Sequence, residues 1–303
     1  MSECTHDCSP CSSNCSGAQP QSLIASPHEG SSIKKVIGVV SGKGGVGKSS
    51  VAVNLAVQLR KLGKRVIIFD ADLGLANVEV MFGAIPKYNL SDLIYQGRDI
   101  REIITPGPMD IGFISGGSGI VTMNNLTKDQ ISYLVHSLSK LDELADVILI
   151  DTGAGVSDSV LEFVIASPEV ILVTTPEPSS LTDSYSLLKA LYRNPGFIKN
   201  GIQIHVVANK VNSVQEGKLV YDKLESVVSQ FLHGTLHYFG MIPQDAVIEK
   251  AVRQQKTVSL MAPESNISNA FRVLANNLVN EEQEQFIMRR GFSQFFSNIL
   301  TRK

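Results

Sequence analysis

One octapeptide constrains this chain more than any other stretch: Gly42-Lys43-Gly44-Gly45-Val46-Gly47-Lys48-Ser49. It fits the pattern G-x-x-x-x-G-K-S/T, and its surroundings give that pattern meaning. Before it, Val36–Val40 is a short β-branched run, as in a buried parallel strand. After it, Val51, Leu55, Leu59 and Leu62 recur at spacings of four, four and three, which predicts a helix from about Lys48 to Leu62 with Gly63 as its stop. Strand, glycine loop and helix in that order make a phosphate cradle. Glycines let backbone N–H groups turn inward around anionic oxygens, and the helix start adds partial positive charge. Lys48 can reach outer phosphates and the Ser49 hydroxyl can ligate Mg²⁺. Gly44, Gly45, Val46, Gly47, Lys48, Ser49 and Ser50 are therefore the expected contacts of a nucleotide such as ATP.

The same alternation continues along the chain. Apolar runs stand at Val66–Phe69, Ile111–Ile114, Val147–Ile150, Val170–Val173 and Ile204–Ala208. Helical patterns fall near Lys128–Leu144, Ser157–Ala166, Ser179–Tyr192, Gln215–Phe231 and Glu264–Asn280. Strands alternating with helices predict an α/β fold, a single P-loop NTPase domain with a mostly parallel twisted sheet and helices on both faces. The expected division is a mobile tail over 1–32, the domain over 33–282 and an amphipathic helix over 283–303. With 303 residues and a formal net charge of −2, the chain can bury a sizeable core and shows no bulk basic charge for nucleic acid. No apolar run reaches the roughly 18–20 residues of a membrane-spanning helix, and the N-terminus lacks the pattern of a secretory signal. A cytoplasmic protein is expected.

Two strand ends carry carboxylates. Phe69-Asp70-Ala71-Asp72 places two acids at i and i+2, suited to Mg²⁺, its waters or an attacking water. Val147-Ile148-Leu149-Ile150-Asp151 ends an apolar run in a carboxylate able to hold a water of the Mg²⁺ shell, the Walker B pattern. Gly153 and Gly155 then allow the next loop to move with the terminal phosphate. A later strand ends in Asn209, whose amide can pair with adenine or serve as a plain cap or turn residue. Thr175–Asp183, with Pro176 and Pro178, reads as a kinked loop feeding a helix capped by Ser or Thr.

Lys43 is a second lysine where the general motif leaves the residue free, and KGGVGK resembles the deviant Walker A ATPases, which include MinD and ParA. The resemblance implies that Lys43 reaches across a homodimer to the partner's nucleotide, that Asp72 orients the hydrolytic water and that Asp70 supports Mg²⁺ from its outer shell. It implies that Asn209 contacts the base, flanked by Pro243 and Asp245. FDADLGLANVEVMFG (69–83), ISGGSG (114–119), IDTGAGVSDSV (150–160) and TTPEPSSLTDSYSLLKAL (174–191) resemble the flagellar number regulators called FlhG, FleN or YlxH, over about residues 33–280. That branch implies ATP-driven dimerisation, and as partners an FlhF-like signal-recognition-type GTPase, a flagellar switch-complex protein and a flagellar transcription activator. Gln19-Pro20-Gln21-Ser22-Leu23 is no match for the branch's DQAxxLR-like segment, so the resemblance does not extend GTPase stimulation to this tail.

The two ends keep alternatives open. Met288, Phe292, Phe295, Phe296, Ile299 and Leu300 fall within an arc of about 140° on a helix. With Arg289, Arg302 and Lys303 nearby, residues 285–303 suit either the inner face of a cell membrane or a groove of the protein itself. Cys4, Cys8, Cys11 and Cys15 could hold Zn²⁺ or an Fe–S cluster, or stand as free thiols. An iron–sulfur carrier of the P-loop class is thus a second reading, though such carriers typically place a Cys-x-x-Cys pair in the folded domain and no cysteine follows Cys15. A ParA-type DNA- or cargo-positioning ATPase is a third.

Overall fold

The apolar runs of the sequence become strands whose successive residues are buried on opposite faces. In a computed structural model, which describes residues 35–72, 77–117 and 127–279, strand β1 spans Lys35–Ser41, β2 Val66–Ala71, β3 Thr105–Pro106, β4 Gly112–Ser115, β5 Val147–Ala154, β6 Glu169–Thr174, β7 Gln203–Val211 and β8 His237–Pro243. They form one eight-stranded sheet in the order β3-β4-β2-β5-β1-β6-β7-β8. Every pairing is parallel except that of the short edge strand β3 with β4. Ile37, Val39, Val147 and Leu149 enter the core on one face, while Val36, Ile148 and Ile150 enter it on the other. Burial on both faces explains why these strands read as unbroken apolar runs rather than alternating ones.

Helix α1 (Lys48–Lys61) is buried along nearly its whole length, Lys48 to Leu59. Its inner side packs on the sheet, and α12 (Val258–Met261) and α13 (Asn266–Val279) cover the rest. This is broader than the stripe read from the sequence, and Leu62, expected in that stripe, is the 39% exposed C-cap. The opposite face carries α3 (Leu90–Gln96), α5 (Lys128–Ser139), α7 (Asp158–Ala166), α8 (Pro178–Tyr192) and α10 (Val214–Leu232).

Four differences from the sequence reading have local causes. The segment 128–144 is two helices, because α5 ends at Lys140 and α6 (Leu141–Leu144) restarts there. Strand β8 and helix α11 (Ala246–Arg253) are not in the sequence reading: β8 is an edge strand with a mixed burial pattern, and α11, though amphipathic and capped by Asp245, is only eight residues long. Short helices α2 (Asn77–Phe82), α4 (Ile100–Ile103) and α9 (Pro195–Asn200) are too brief to show a period. Helix α8 is capped by Glu177 without a side-chain hydrogen bond, not by Ser or Thr. Pro178 takes its first position, where a missing N–H costs nothing. The N-terminal cysteines and the amphipathic arc of 285–303 lie outside the described residues.

The strand order positions the site. From β1 the chain crosses through α1 toward β2, whereas β5 crosses through α7 over β1 to β6. The two crossovers lie on opposite faces and diverge at the carboxyl end of β1, the crevice where such sheets take ligands.

Candidate functional site

The loop between β1 and α1 sits in that crevice. Gly45 and Gly47 are left-handed, at φ 77° and 94°, which a side chain would resist. Gly47 is also the N-cap of α1 and has no side-chain partner there, so the N-terminal N–H groups of α1 face outward. Gly42 is required for a different reason: a Cβ there would overlap the backbone of Asp183 and Ser184 in α8. The loop is thus wedged against the first turns of α8. The end of β5 closes in from the other side, with the Gly155 N–H donating to the Ser41 carbonyl at 2.9 Å.

Beneath the loop lies a charged floor. Lys48 Nζ meets Asp151 Oδ1 at 2.7 Å, with side chains only 7% and 0% exposed. Parallel register sets Asp70 of β2 beside Asp151 of β5, so two carboxylates share one buried place. Burial pushes the Asp151 carboxyl up, against the Lys48 ammonium and the Ser49 hydroxyl, which pull it down. Burial likewise pushes Asp70 up to about 7, with the Asp151 charge adding to it. The Val78 and Asp72 N–H groups donate to Asp70 at 3.1 and 3.2 Å and partly offset this. Asp72, just beyond β2, is half-buried, and Asn77 Nδ2 lies 3.5 Å from its Oδ2.

Asp151 Oδ2 is buried and accepts no hydrogen bond among the described residues. An orphaned carboxylate oxygen beside a second acid and a serine hydroxyl is the donor chemistry of a hard cation such as Mg²⁺. Among the described residues no three His, Cys, Asp or Glu side chains cluster to hold a metal alone. The residues therefore fit a Mg²⁺ held by Ser49 together with phosphate oxygens and waters.

The far side of the loop is held by β7. Asn209, 4% exposed, gives its amide to the Val46 carbonyl at 2.7 Å and accepts the Lys210 N–H at 2.9 Å. Lys210 Nζ donates to the Gly45 carbonyl at 2.9 Å. Pro243 ends β8 opposite Val211, and Asp245 accepts the Val247 N–H as the cap of α11. Asn209, Pro243 and Asp245 are thus brought to one edge of the crevice.

At the rim, Lys43 reaches not outward but onto its own chain. Its Nζ lies 2.8 Å from Glu177 Oε2 and 2.8 Å from Ser179 Oγ. The Lys43 ammonium holds the Glu177 carboxyl below its usual range. Ser180 turns inward instead, accepting the Thr175 N–H and bonding Thr174 Oγ1, which fixes α8 to the end of β6. Sequence reasoning had no signal for the partners of Lys43 or for Lys210. The segment Thr175–Asp183 was legible as a proline-kinked loop before a helix, but not as the holder of Lys43.

The fold is shared with known proteins. Residues 32–279 match the ParA family model, described as NUBPL iron-transfer P-loop NTPase. The chain is similar to the antiactivator FleN of Pseudomonas aeruginosa, 42% identical over 244 residues, covering 80% of this chain and 86% of FleN. It is similar to the flagellum site-determining protein YlxH of Helicobacter pylori, 33% identical over 270 residues, 88% of this chain and 90% of YlxH. Among solved structures it is similar to the cell division ATPase MinD of Pyrococcus furiosus, with a TM-score of 0.64 and 25% identity over 81% of this chain and 98% of MinD.

Proposed function

The chain belongs to the ParA family of P-loop NTPases, and from that membership we propose that it is a MinD-like, Mg²⁺-dependent ATPase whose ATP-bound homodimer regulates flagellar number. The observation that carries this is a loop with two lysines in different settings. Lys48 lies in the floor on Asp151, and Lys43 lies at the rim, 37% exposed. The first serves the chain's own phosphates, and the second, held on Glu177 and Ser179 in an exposed ion pair, can exchange them for a facing subunit's phosphates.

In this reading Lys48 exchanges Asp151 for phosphate oxygens as ATP enters the loop. Bound Mg²⁺ supplies charge neutralisation at the phosphates, with Ser49 as a ligand and Asp151 and Asp70 holding its waters. Asp72 orients the attacking water. Gly155, bonded to Ser41, lets the segment after β5 follow the terminal phosphate. Asn209, with Pro243 and Asp245, receives the base. Hydrolysis dissolves the dimer.

The similarity to FleN, named an antiactivator, and to YlxH, named for flagellum site determination, supports the flagellar role. An FlhF-like GTPase, a switch-complex protein and a transcription activator are the proposed partners. Residues 285–303 are the proposed contact with a membrane surface; among the described residues no helix is long and apolar enough to cross one. The iron–sulfur carrier is not favoured, because no cysteine follows Cys15. DNA positioning is not favoured beside two flagellar relatives and a net charge of −2.

The test is sizing with ATP alongside phosphate release. Wild type should dimerise and hydrolyse. Asp72→Ala should hold the dimer and lose hydrolysis by at least about a hundredfold, since water positioning is removed and phosphate binding is not. A strictly monomeric Asp72→Ala protein with ATP sinks the proposal.

A further inference from the structure

The end of β7 contains a residue that the nucleotide reading does not use. Lys210 is not glycine, yet its backbone is left-handed at φ 59°. It stands at a register break: Asn209 pairs with Ile242 and Val211 with Pro243, so Lys210 is the extra residue of a β-bulge. Glycine makes such a bulge without strain, whereas a lysine there carries a backbone penalty. A strained bulge re-aims its side chain. Here the side chain is aimed at the phosphate loop, and its Nζ meets the Gly45 carbonyl at 2.9 Å.

The neighbouring residue acts on the next carbonyl. Asn209 Nδ2 meets the Val46 carbonyl at 2.7 Å, so consecutive residues of β7 grip consecutive carbonyls of the loop. In a trans peptide, C=O of one residue and N–H of the next point to opposite sides. Among the described residues no peptide bond is cis. Drawing the Gly45 carbonyl toward β7 therefore turns the Val46 N–H away from β7. Drawing the Val46 carbonyl turns the Gly47 N–H the same way. Among the described residues, neither of these N–H groups takes part in the turn and loop hydrogen bonds of the backbone. The glycines that let the loop form also let these peptides rotate. Something outside the loop must fix them.

We infer that Lys210 is a positioning residue which, with Asn209, aims the Val46 and Gly47 N–H groups into the phosphate cradle. This rests on the reading of the loop as a nucleotide site and deepens it. The target is the polyphosphate rather than the base, because the gripped atoms belong to the loop. Base entry at Asn209 then acts on the same strand end that sets the cradle.

The test compares wild type with Lys210→Met and Lys210→Gly, using ATP and base-free inorganic tripolyphosphate, both with Mg²⁺, as displacers of a fluorescent ATP analogue. Both variants should bind both ligands about tenfold more weakly and by similar factors, as expected for a lost charge-assisted hydrogen bond. Without ligand, Lys210→Met should keep the unfolding midpoint, and Lys210→Gly should raise it by roughly 2 °C as the strain is released. Greater stability with weaker binding in Lys210→Gly is a combination that a merely structural role cannot give. Unchanged affinity for both ligands overturns the inference, as does a loss confined to ATP, which would assign Lys210 to the base. Failure of wild type to bind either ligand overturns the nucleotide reading itself and the inference with it.

Discussion

The floor and the rim of the phosphate loop each hold a lysine on a carboxylate, and the two bonds are almost equally short. Lys48 sits 2.7 Å from Asp151 and Lys43 sits 2.8 Å from Glu177. Their surroundings differ. The floor pair is 7% and 0% exposed, the rim pair 37% and 58%. A buried charge left alone is strongly destabilising, so the floor lysine can leave Asp151 only when other charges replace it. An exposed charge is resolvated when its partner leaves, so the rim lysine exchanges partners at little loss. Bond length does not distinguish the two roles. Burial does, and it supports the proposed roles, the floor for a ligand and the rim for a reversible encounter.

Removing the floor lysine should have the largest effect. Lys48→Met leaves Asp151 buried without its cation and should lower stability by about 3–5 kcal/mol at pH 8, read by urea unfolding. The loss should shrink as pH falls. Asp151 is already pushed up by burial with Lys48 opposing, so without Lys48 it takes up a proton more readily and becomes neutral. A variant as stable as wild type at pH 8 would erase the contrast between floor and rim.

Asp70 gives the next largest effect, of opposite sign. Its carboxyl is raised from 3.8 to about 7 in the folded protein. The folded state thus holds a proton that the unfolded state has released, so this group's contribution is full below about pH 3.8 and is lost as pH rises through about 7. That rise corresponds to on the order of 4 kcal/mol. Asp70→Asn removes the titration but gives up one of the two N–H bonds from Val78 and Asp72. Without nucleotide or Mg²⁺, the variant should gain about 1–2 kcal/mol at pH 8, with a flatter stability profile between pH 4 and 7. An unchanged slope would show that the two floor carboxylates do not share the strain of burial as the geometry implies.

The floor was far more legible in the sequence than the rim. Asp70 and Asp151 each end an apolar run that a parallel sheet buries on both faces, and Lys48 closes the glycine motif after β1, so strand ends and motif located them. Gly45 and Gly47 were legible because left-handed backbone requires glycine. The partners of Lys43 and the role of Lys210 were not, since each depends on a contact between segments far apart in the chain. Lys210 also violates the local rule, as a lysine where a bulge favours glycine, and such violations cannot be seen before the register is known. Strand β8 was missed because an edge strand lacks the burial that writes a pattern, although Pro243 and Asp245 marked its end. The Ser/Thr cap expected for α8 gave way to Glu177, whose carboxylate is engaged by Lys43 rather than by the helix.

The rim pair yields the smallest effect on stability and the sharpest test of its role. Glu177→Gln keeps the shape of the side chain and removes its charge. The unfolding midpoint should not move, because both partners are well exposed. The ATP-dependent dimer should change. If Glu177 holds Lys43 on its own chain, a lysine bound for the facing nucleotide must first break that pair, and the variant spares it the step. Half-dimerisation with ATP, followed by sedimentation over a range of protein concentrations in the non-hydrolysing Asp72→Ala background, should then shift to a severalfold lower concentration. The gap between variant and parent should narrow as salt is raised, since added ions screen the pair that holds Lys43 back. A shift to higher concentration would mean that Glu177 serves the assembled dimer instead. The rim would then resemble the floor after all, with a carboxylate whose lysine partner is needed in the active state.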